Sequence, residues 1–386
     1  MIQGKRWMTL ASVAVIVALS LACCGGGEAA ENTNAPIKIG IAAPLTGIGA
    51  DWGFYITSSA KLAADEINAQ GGVNGRKIEL YIEDDQSQPT VHVSAIKKLI
   101  HETKVDVILG SGVSLCVLAG IPVIEQYEVP LLVTCASAPK ISKQGSKWMM
   151  AQLPVTEDYC LPMTAAYGVR NKGLKKVGII YENSDWGKEP AEAARKRIGE
   201  LGGTVTAFEA FNPTDTDFSA QLTKIKFTNP DMLLTMSVPK HTAIIVRQAR
   251  QVGLGVPIYM NQANSSMLFL ETAGQYAEGC WSTVYWSPFA TDEASKKFVE
   301  AYKAATGKNA VQACASTYDG MYLLAEAIKK VGTDKAKLRD YIRNIGSFKG
   351  VCGTYNIDPK DGHNLMDLTV TRVEDGVWKI VDKTSW

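Results

Sequence analysis

Short apolar runs alternate along the chain with longer stretches whose apolar positions recur every three or four residues. IKIGI (37–41), IELYI (78–82), VDVIL (105–109) and PLLV (130–133) have the length and branched side chains of buried strands. Between them SSAKLAADEINAQ and TVHVSAIKKLIHE carry helical spacing, and a further helix follows VDVIL. In the first helix Ile56, Ala60, Ala63 and Ile67 form one apolar stripe, Lys61, Asp65 and Glu66 face the other way, and Gly71 and Gly72 supply a left-handed stop. Strand and helix in strict alternation predict a mainly parallel sheet covered on both faces.

The rhythm restarts after about residue 170 with KKVGIIY, EPAEAARKRIGELGG, TVTAF, DFSAQLTKIKF, DMLLTM, KHTAIIVRQARQVG and PIYM, so the chain is expected to contain two α/β units. Asp-Trp-Gly follows the first strand of each, as Asp51, Trp52, Gly53 and as Asp185, Trp186, Gly187. Ligands of open α/β sheets bind outside the carboxyl ends of the strands, which is where both tripeptides fall. The two indoles either face each other across a cleft or lie under their own loops. The tail, with EASKKFVEAYKAATG, YDGMYLLAEAIKKVG, LTVTRV and VWKIV, reads as elements returning to the two units already built. Crossings are expected near Pro154, Tyr285 and Gly350. The predicted fold is α/β, two doubly wound Rossmann-like lobes with a three-segment hinge: 37–154 with 285–349, and 155–284 with 350–386.

Composition narrows the function classes. Hydrophobic residues make up 46% and charged residues 20% of the 386, and forty Lys plus Arg against thirty-nine Asp plus Glu leave +1, with no basic stripe to suit nucleic acid. Lys5 and Arg6 precede the uncharged stretch WMTLASVAVIVALSLA, which is short for a bilayer span and ends in small residues. Residues 1–22 therefore read as a secretory signal. Cleavage before Cys23, with Ala22 upstream, resembles a bacterial lipoprotein signal with Cys24 as rival acceptor, and 23–36 reads as a tether. Export permits disulfides among Cys116, Cys135, Cys160, Cys280, Cys314 and Cys352, but six cysteines allow fifteen full pairings and the spacing does not choose. No CxxC pair or Cys and His cluster has zinc-ligand spacing, so no metal or other cofactor is expected.

The segment LGSGVSLCVLAG (109–120) puts glycines and serines where a strand should end and a helix begin. It lacks the lysine of a phosphate loop and the third glycine of a dinucleotide fingerprint. Ser114 has Gly112 two before but Cys116 two after, an incomplete hydrolase elbow. As general base His92 and His101 belong to a surface-like helix, His363 lies in a turn, and His241 alone is near a cleft and reads as a surface residue. What remains is anion binding: a helix N-terminus offers unpaired N–H groups and positive partial charge, and a hydroxyl adds a donor. Ser114 with the backbone of Gly112 and Val113, and Ala136 and Ser137 of TCASAP (134–139), make two donor loops at neighbouring strand ends. Either they cradle one carboxylate or the serines are plain helix caps.

IKIGIAAPLTGIGADWG, DEINAQGGVNGRKIEL, EDDQSQP, the stretch from Gly110 to Glu125, YENSDWGKEP, DFSAQLTKIK, RQARQVGL and TYDGMYLL resemble the type I periplasmic binding proteins of ABC importers, specifically the branched-chain amino acid binding group. The resemblance covers nearly the whole chain after the signal. It implies two lobes joined by three crossovers, closing on a solute without catalysis. It assigns Ser114, Ala136 and Ser137 to the ligand carboxylate, Trp52 to the pocket wall and Trp186 to a stacking position in the second lobe. It also points to departures. Where a glutamate often neutralises an ammonium the matching position is Ala263, flanked by Gln262 and Asn264, and Val238 stands where an aromatic is expected. Either Glu157, Asp158 or Asp319 substitutes, or the ligand has no ammonium. The expected partners are an amino acid or small carboxylate, importer permease subunits, and the membrane through a lipid anchor, with the protein a monomer. A ligand sensor for a membrane receptor and an exported serine hydrolase are the alternatives.

Overall fold

The computed structural model describes residues 35–384; the signal, Cys23 and the tether up to residue 34 lie outside them. Five strands, β1 (Ile37–Ala43), β2 (Ile78–Asp84), β3 (Val107–Leu109), β4 (Leu131–Val133) and β5 (Met149–Gln152), pair in parallel in the order β2-β1-β3-β4-β5. The helices between and beyond them are α1 (Ala50–Ala69), α2 (Pro89–Lys98), α3 (Ser114–Tyr127) and the single turn α4 (Lys140–Lys143). Alternate residues of a strand face opposite sides. Accordingly Ile37, Ile39 and Ile41 of β1 join Ile56 and Ala60 of α1 in one core, while Ala42 joins Ile96, Val117 and Ile121 of α2 and α3 in another.

The second unit repeats the topology. After α5 (Glu157–Lys172) come β6 (Lys176–Glu182), α6 (Asp185–Glu200), β7 (Thr204–Phe211), α7 (Ser219–Phe227), β8 (Met232–Met236), α8 (Pro239–Gln251), β9 (Ile258–Met260), α9 (Met267–Ala273) and β10 (Trp281–Val284). Their sheet order, β7-β6-β8-β9-β10, is that of the first sheet strand for strand. The tail adds α10 (Glu293–Thr306), α11 (Gln312–Val331) and α12 (Lys335–Arg343), the small sheet β11 (Ser347–Gly350), β12 (Gly353–Ile357), β13 (Asn364–Leu365), and finally β14 (Leu368–Glu374) and β15 (Val377–Thr384). β14 runs antiparallel to β10 and β15 to β14, extending the second sheet to seven strands.

The core contacts show where the chain changes unit. Leu153 and Val155 lie in the core of the first sheet, Leu161 and Ala165 in that of the second, and Tyr285 and Trp286 again in the first. Residues 350–366, expected in the second lobe, sit differently. Phe348, Tyr355, Ile357 and Met366 of the small sheet are buried in the first core, and the chain joins the second sheet only with β14. The apolar run LTVTRV was legible as a strand; the preceding β-hairpin, short and mostly polar, was not.

The repeated tripeptide has a steric cause. A Cβ on Gly53 would stand 2.0 Å from the carbonyl oxygen of Pro44, and one on Gly187 would stand 2.1 Å from that of Glu182. In both units the first turn of the helix rests on the backbone at the end of the preceding strand. Only glycine permits that approach.

Candidate ligand-binding site

In sheets of this order the first strand has neighbours whose connections leave in opposite directions, and a crevice opens at its carboxyl end. Both crevices contribute to one cavity of about 290 Å³. From the first unit it is lined by Trp52 after β1, Gly112, Val113 and Ser114 after β3, and Cys135, Ser137 and Ala138 after β4. From the second it is lined by Glu182 at the end of β6, Ser184 and Trp186 after it, Val238 after β8, and Gln262 and Ala263 after β9. The two tryptophans therefore share one cavity rather than lying under separate loops.

Ser114 is the first residue of α3 and does not cap it; the preceding Val113 is extended and has no side-chain cap bond. The first-turn N–H groups that such a helix leaves over are thus presented at the cavity. Ser114 Oγ accepts from the Ala138 N–H at 3.4 Å, which ties the two donor loops together. Ser137 lines the cavity, and its carbonyl accepts from the Glu157 N–H at 3.3 Å. Ala136 lies behind this wall: it is buried, and its carbonyl accepts from Gln152 Nε2 at 2.9 Å. On the far side Ser184 Oγ caps α6 by accepting from the Gly187 N–H, which holds the turn that carries Trp186.

Asp319 is not part of the site. Its carboxylate accepts from the N–H groups of Val351 and Cys352, at 2.6 and 2.9 Å, and from the Tyr355 hydroxyl at 2.8 Å, closing the turn between β11 and β12. A buried acid with three donors is a structural peg, and it is not among the residues that line the cavity. His92 also corrects the sequence expectation: it is buried, with Nδ1 3.0 Å from Asp85 Oδ2. The helix that carries it packs on α3, and Gly120 of α3 leaves room for the imidazole. His241 stands between Phe211 and Phe218, with Nδ1 3.9 Å from Glu182 Oε2.

Glu157 is the first residue of α5 and lines the cavity although it is only 1% exposed. Burial pushes its carboxyl up to about 8, against the opposing pull of the Asn261 and Gln262 amides. Gln262 is held by donating to the Val155 carbonyl at 2.9 Å and accepting from the Cys160 thiol at 3.3 Å. Glu182, Ser184 and Gln312, which were not singled out in the sequence, also line the cavity, as does Tyr285, expected only at a crossing. The rule that placed Trp52 at a strand end would have found Glu182 and Ser184, whereas Gln312 arrives on the tail helix α11 and has no local signal.

No serine–histidine pair forms at Ser114. The hydrogen-bond partner of Ser114 Oγ is a backbone N–H, and no histidine lines the cavity among the described residues. The six cysteines of the described residues are free thiols, five of them buried. No helix of the described residues is long and apolar enough to cross a membrane.

Two doubly wound units opening on a shared cavity define a two-lobed solute-binding fold. Residues 36–377 match the family model described as periplasmic binding protein, and the chain belongs to that family. It is 25% identical over 335 residues, 86% of this chain and 89% of the other, to a leucine-, isoleucine-, valine-, threonine- and alanine-binding protein of Pseudomonas aeruginosa. The branched-chain amino acid transporter substrate-binding protein LivJ of Streptococcus pneumoniae, solved with isoleucine, superposes with a TM-score of 0.81 at 26% identity, covering 90% of this chain and 100% of that one. A solute-binding protein of an ABC transporter from Rhodopseudomonas palustris, solved with 3,4-dihydroxybenzoic acid, gives 0.81 at 25% identity, covering 91% and 97%.

Proposed function

We propose that the chain is an exported solute-binding protein that captures an amino acid, branched-chain or aromatic, or a related small carboxylate, and delivers it to the permease subunits of an ABC importer. The observation that carries this reading is the pair of donor loops at Ser114 and Ser137. They are tied to each other, stand at strand ends and line one cavity with the N-terminus of α3. Such an arrangement suits the binding of an anion by dipoles and hydroxyls. Similar proteins solved with isoleucine and with a dihydroxybenzoic acid support a carboxylate in that cradle. A thermal-shift screen over amino acids and aromatic acids tests it. A true ligand at ~100 times its dissociation constant should add about 2.7 kcal/mol to stability. A screen in which no carboxylate raises the melting temperature refutes the reading.

The anchor is proposed with it: Cys23, acylated after signal cleavage, tethers the folded part to the outer face of the membrane or within the periplasm. Replacing Cys23 by Ser should move the protein from the membrane to the soluble exported fraction with ligand affinity unchanged. Retention on membranes would transfer the role to Cys24.

A further inference from the structure

One end of the first unit is basic, and it becomes so only on folding, because its cations come from separate segments. Parallel strands start at one edge of their sheet, so residues 36–38, 74–77 and 104–106, which lead into β1, β2 and β3, lie side by side there. The Ile37 N–H donates to the Lys77 carbonyl at 2.8 Å. The end of α11 and the start of α12 close over these segments: Asn74 Nδ2 donates to the Lys329 carbonyl at 3.2 Å, and Arg76 donates to Thr333 Oγ1 at 3.2 Å and to the Pro36 carbonyl at 3.5 Å. Burial raises the Asp106 carboxyl against the pull of the Lys38 N–H and of the charges on Arg76, Lys335 and Lys38, which places those three cations around it.

Lys77, Lys104, Lys329 and Lys330 at this end are exposed, and none of them takes part in an ion pair. Two of the local acids are engaged. Asp106 accepts from the Lys38 N–H at 2.8 Å, and Asp334 caps α12 by accepting from the Lys337 N–H at 2.8 Å. Glu79 and Glu102 offset part of the remaining charge and leave the end net positive. At the matching end of the second unit Arg372 and Lys379 are instead paired, with Glu374 at 3.2 Å and with Asp375 at 2.6 Å. A chain whose formal charge is only +1 thus concentrates unpaired positive charge on one face.

The same face is where the chain enters the fold from the proposed anchor. Pro36 stands thirteen residues after Cys23, and a chain spans at most about 3.6 Å per residue, so a lipid on Cys23 keeps this face within about 45 Å of the bilayer. Resting on the anchor reading above, we propose that the basic end of the first unit is a membrane-docking face that lies on anionic phospholipid headgroups, with Lys77, Lys329 and Lys330 supplying the contact. An acyl chain and a basic patch together make the two signals that stable attachment needs. The attraction fades over a Debye length of about 8 Å at physiological salt, so it orients an anchored chain and does not replace the anchor. In that orientation the strand ends that carry Ser114 and Ser137 lie at the edge of the sheet far from the bilayer.

The test is vesicle sedimentation of the mature chain carrying Cys23→Ser, so that no acyl group contributes. Vesicles of pure phosphatidylcholine and vesicles containing about one third phosphatidylglycerol are compared at about 0.05 M and about 0.3 M salt. The chain should bind only the anionic vesicles and should lose that binding at the higher salt. Adding Lys77→Gln, Lys329→Gln and Lys330→Gln should weaken the partition by about 10²-fold, since each cation near an anionic surface is worth roughly a factor of five. Adding Lys175→Gln, Lys196→Gln and Lys240→Gln instead removes the same charge from exposed positions of the second unit and should leave the partition unchanged. The proposal is overturned if the two kinds of vesicle are bound alike, or if the two triple variants bind alike, since net charge and not this face would then be what matters. Failure here leaves the anchor reading standing; that reading fails on a different result, an exported wild type found wholly in the soluble fraction.

Discussion

A Ser114→Ala, Ser137→Ala double variant should bind its carboxylate ligand on the order of 10²- to 10⁴-fold more weakly, while its unliganded stability falls by only about 1 kcal/mol. The affinity range follows from two hydrogen bonds to a charged group at about 1.5–3 kcal/mol each. The two losses should not add fully, because Ser114 Oγ already bonds the loop that carries Ser137, and neighbours that share a partner couple. The stability figure follows from the same geometry. Ser114 is the first helical residue of α3 and not its cap, so its removal forfeits one long bond to Ala138 and no capping energy. The amide analogue of the ligand discriminates: lacking the negative charge, it should lose far less affinity than the acid does. Equal losses for acid and amide, or a sharp fall in melting temperature with affinity intact, would show that the serines serve the loops and not the ligand.

How much of this could be read beforehand depends on whether the physics was local. The strands of both units were legible because parallel strands are buried on both faces and so appear as short apolar runs. KKVGIIY became β6 and DMLLTM became β8 almost to the residue. Helix α5 was missed for the complementary reason. Residues 160–169 are buried without interruption, with Cys160 and Met163 in the first core and Leu161, Ala165 and Tyr167 in the second. A helix packed on all sides has no polar face and hence no 3.6-residue signal, and Pro162 argues against it further. The site divides in the same way. Trp52, Ser114, Ser137 and Trp186 follow strands that could be seen, so the strand-end rule reached them. Asp319 was misplaced because its donors, Val351, Cys352 and Tyr355, lie some thirty residues further on in a hairpin with no pattern of its own. Glu157 was one of three acids that the resemblance left equivalent. What separates it from Asp158 is burial on the cavity wall rather than pairing with Lys143, and burial is a property of the folded chain.

The glycines of the repeated tripeptide make the sharpest demand on the fold, and Gly187→Ala should show it. The added Cβ would lie 2.1 Å from the Glu182 carbonyl oxygen and 2.9 Å from its carbon, and backbone at the end of a central strand cannot swing aside as a side chain can. The first turn of α6 must therefore lift off β6. This breaks the bond from the Gly187 N–H to Ser184 and displaces Glu182, Ser184 and Trp186, three residues of the cavity wall. Overpacking of this kind costs about 1–3 kcal/mol, and affinity should fall at least about tenfold because one half of the cavity changes shape. Gly53→Ala repeats the experiment in the first unit against the Pro44 carbonyl, where Trp52 is the residue displaced. Gly199→Ala is the control: it lies on the same helix as Gly187, a Cβ there meets nothing within 4 Å, and replacing a helical glycine by alanine should gain up to about 1 kcal/mol. Denaturant unfolding and ligand titration of the three variants separate steric demand from helix propensity. If Gly187→Ala is as stable as Gly199→Ala and binds like the wild type, the close approach of helix and strand is not what the tripeptide preserves.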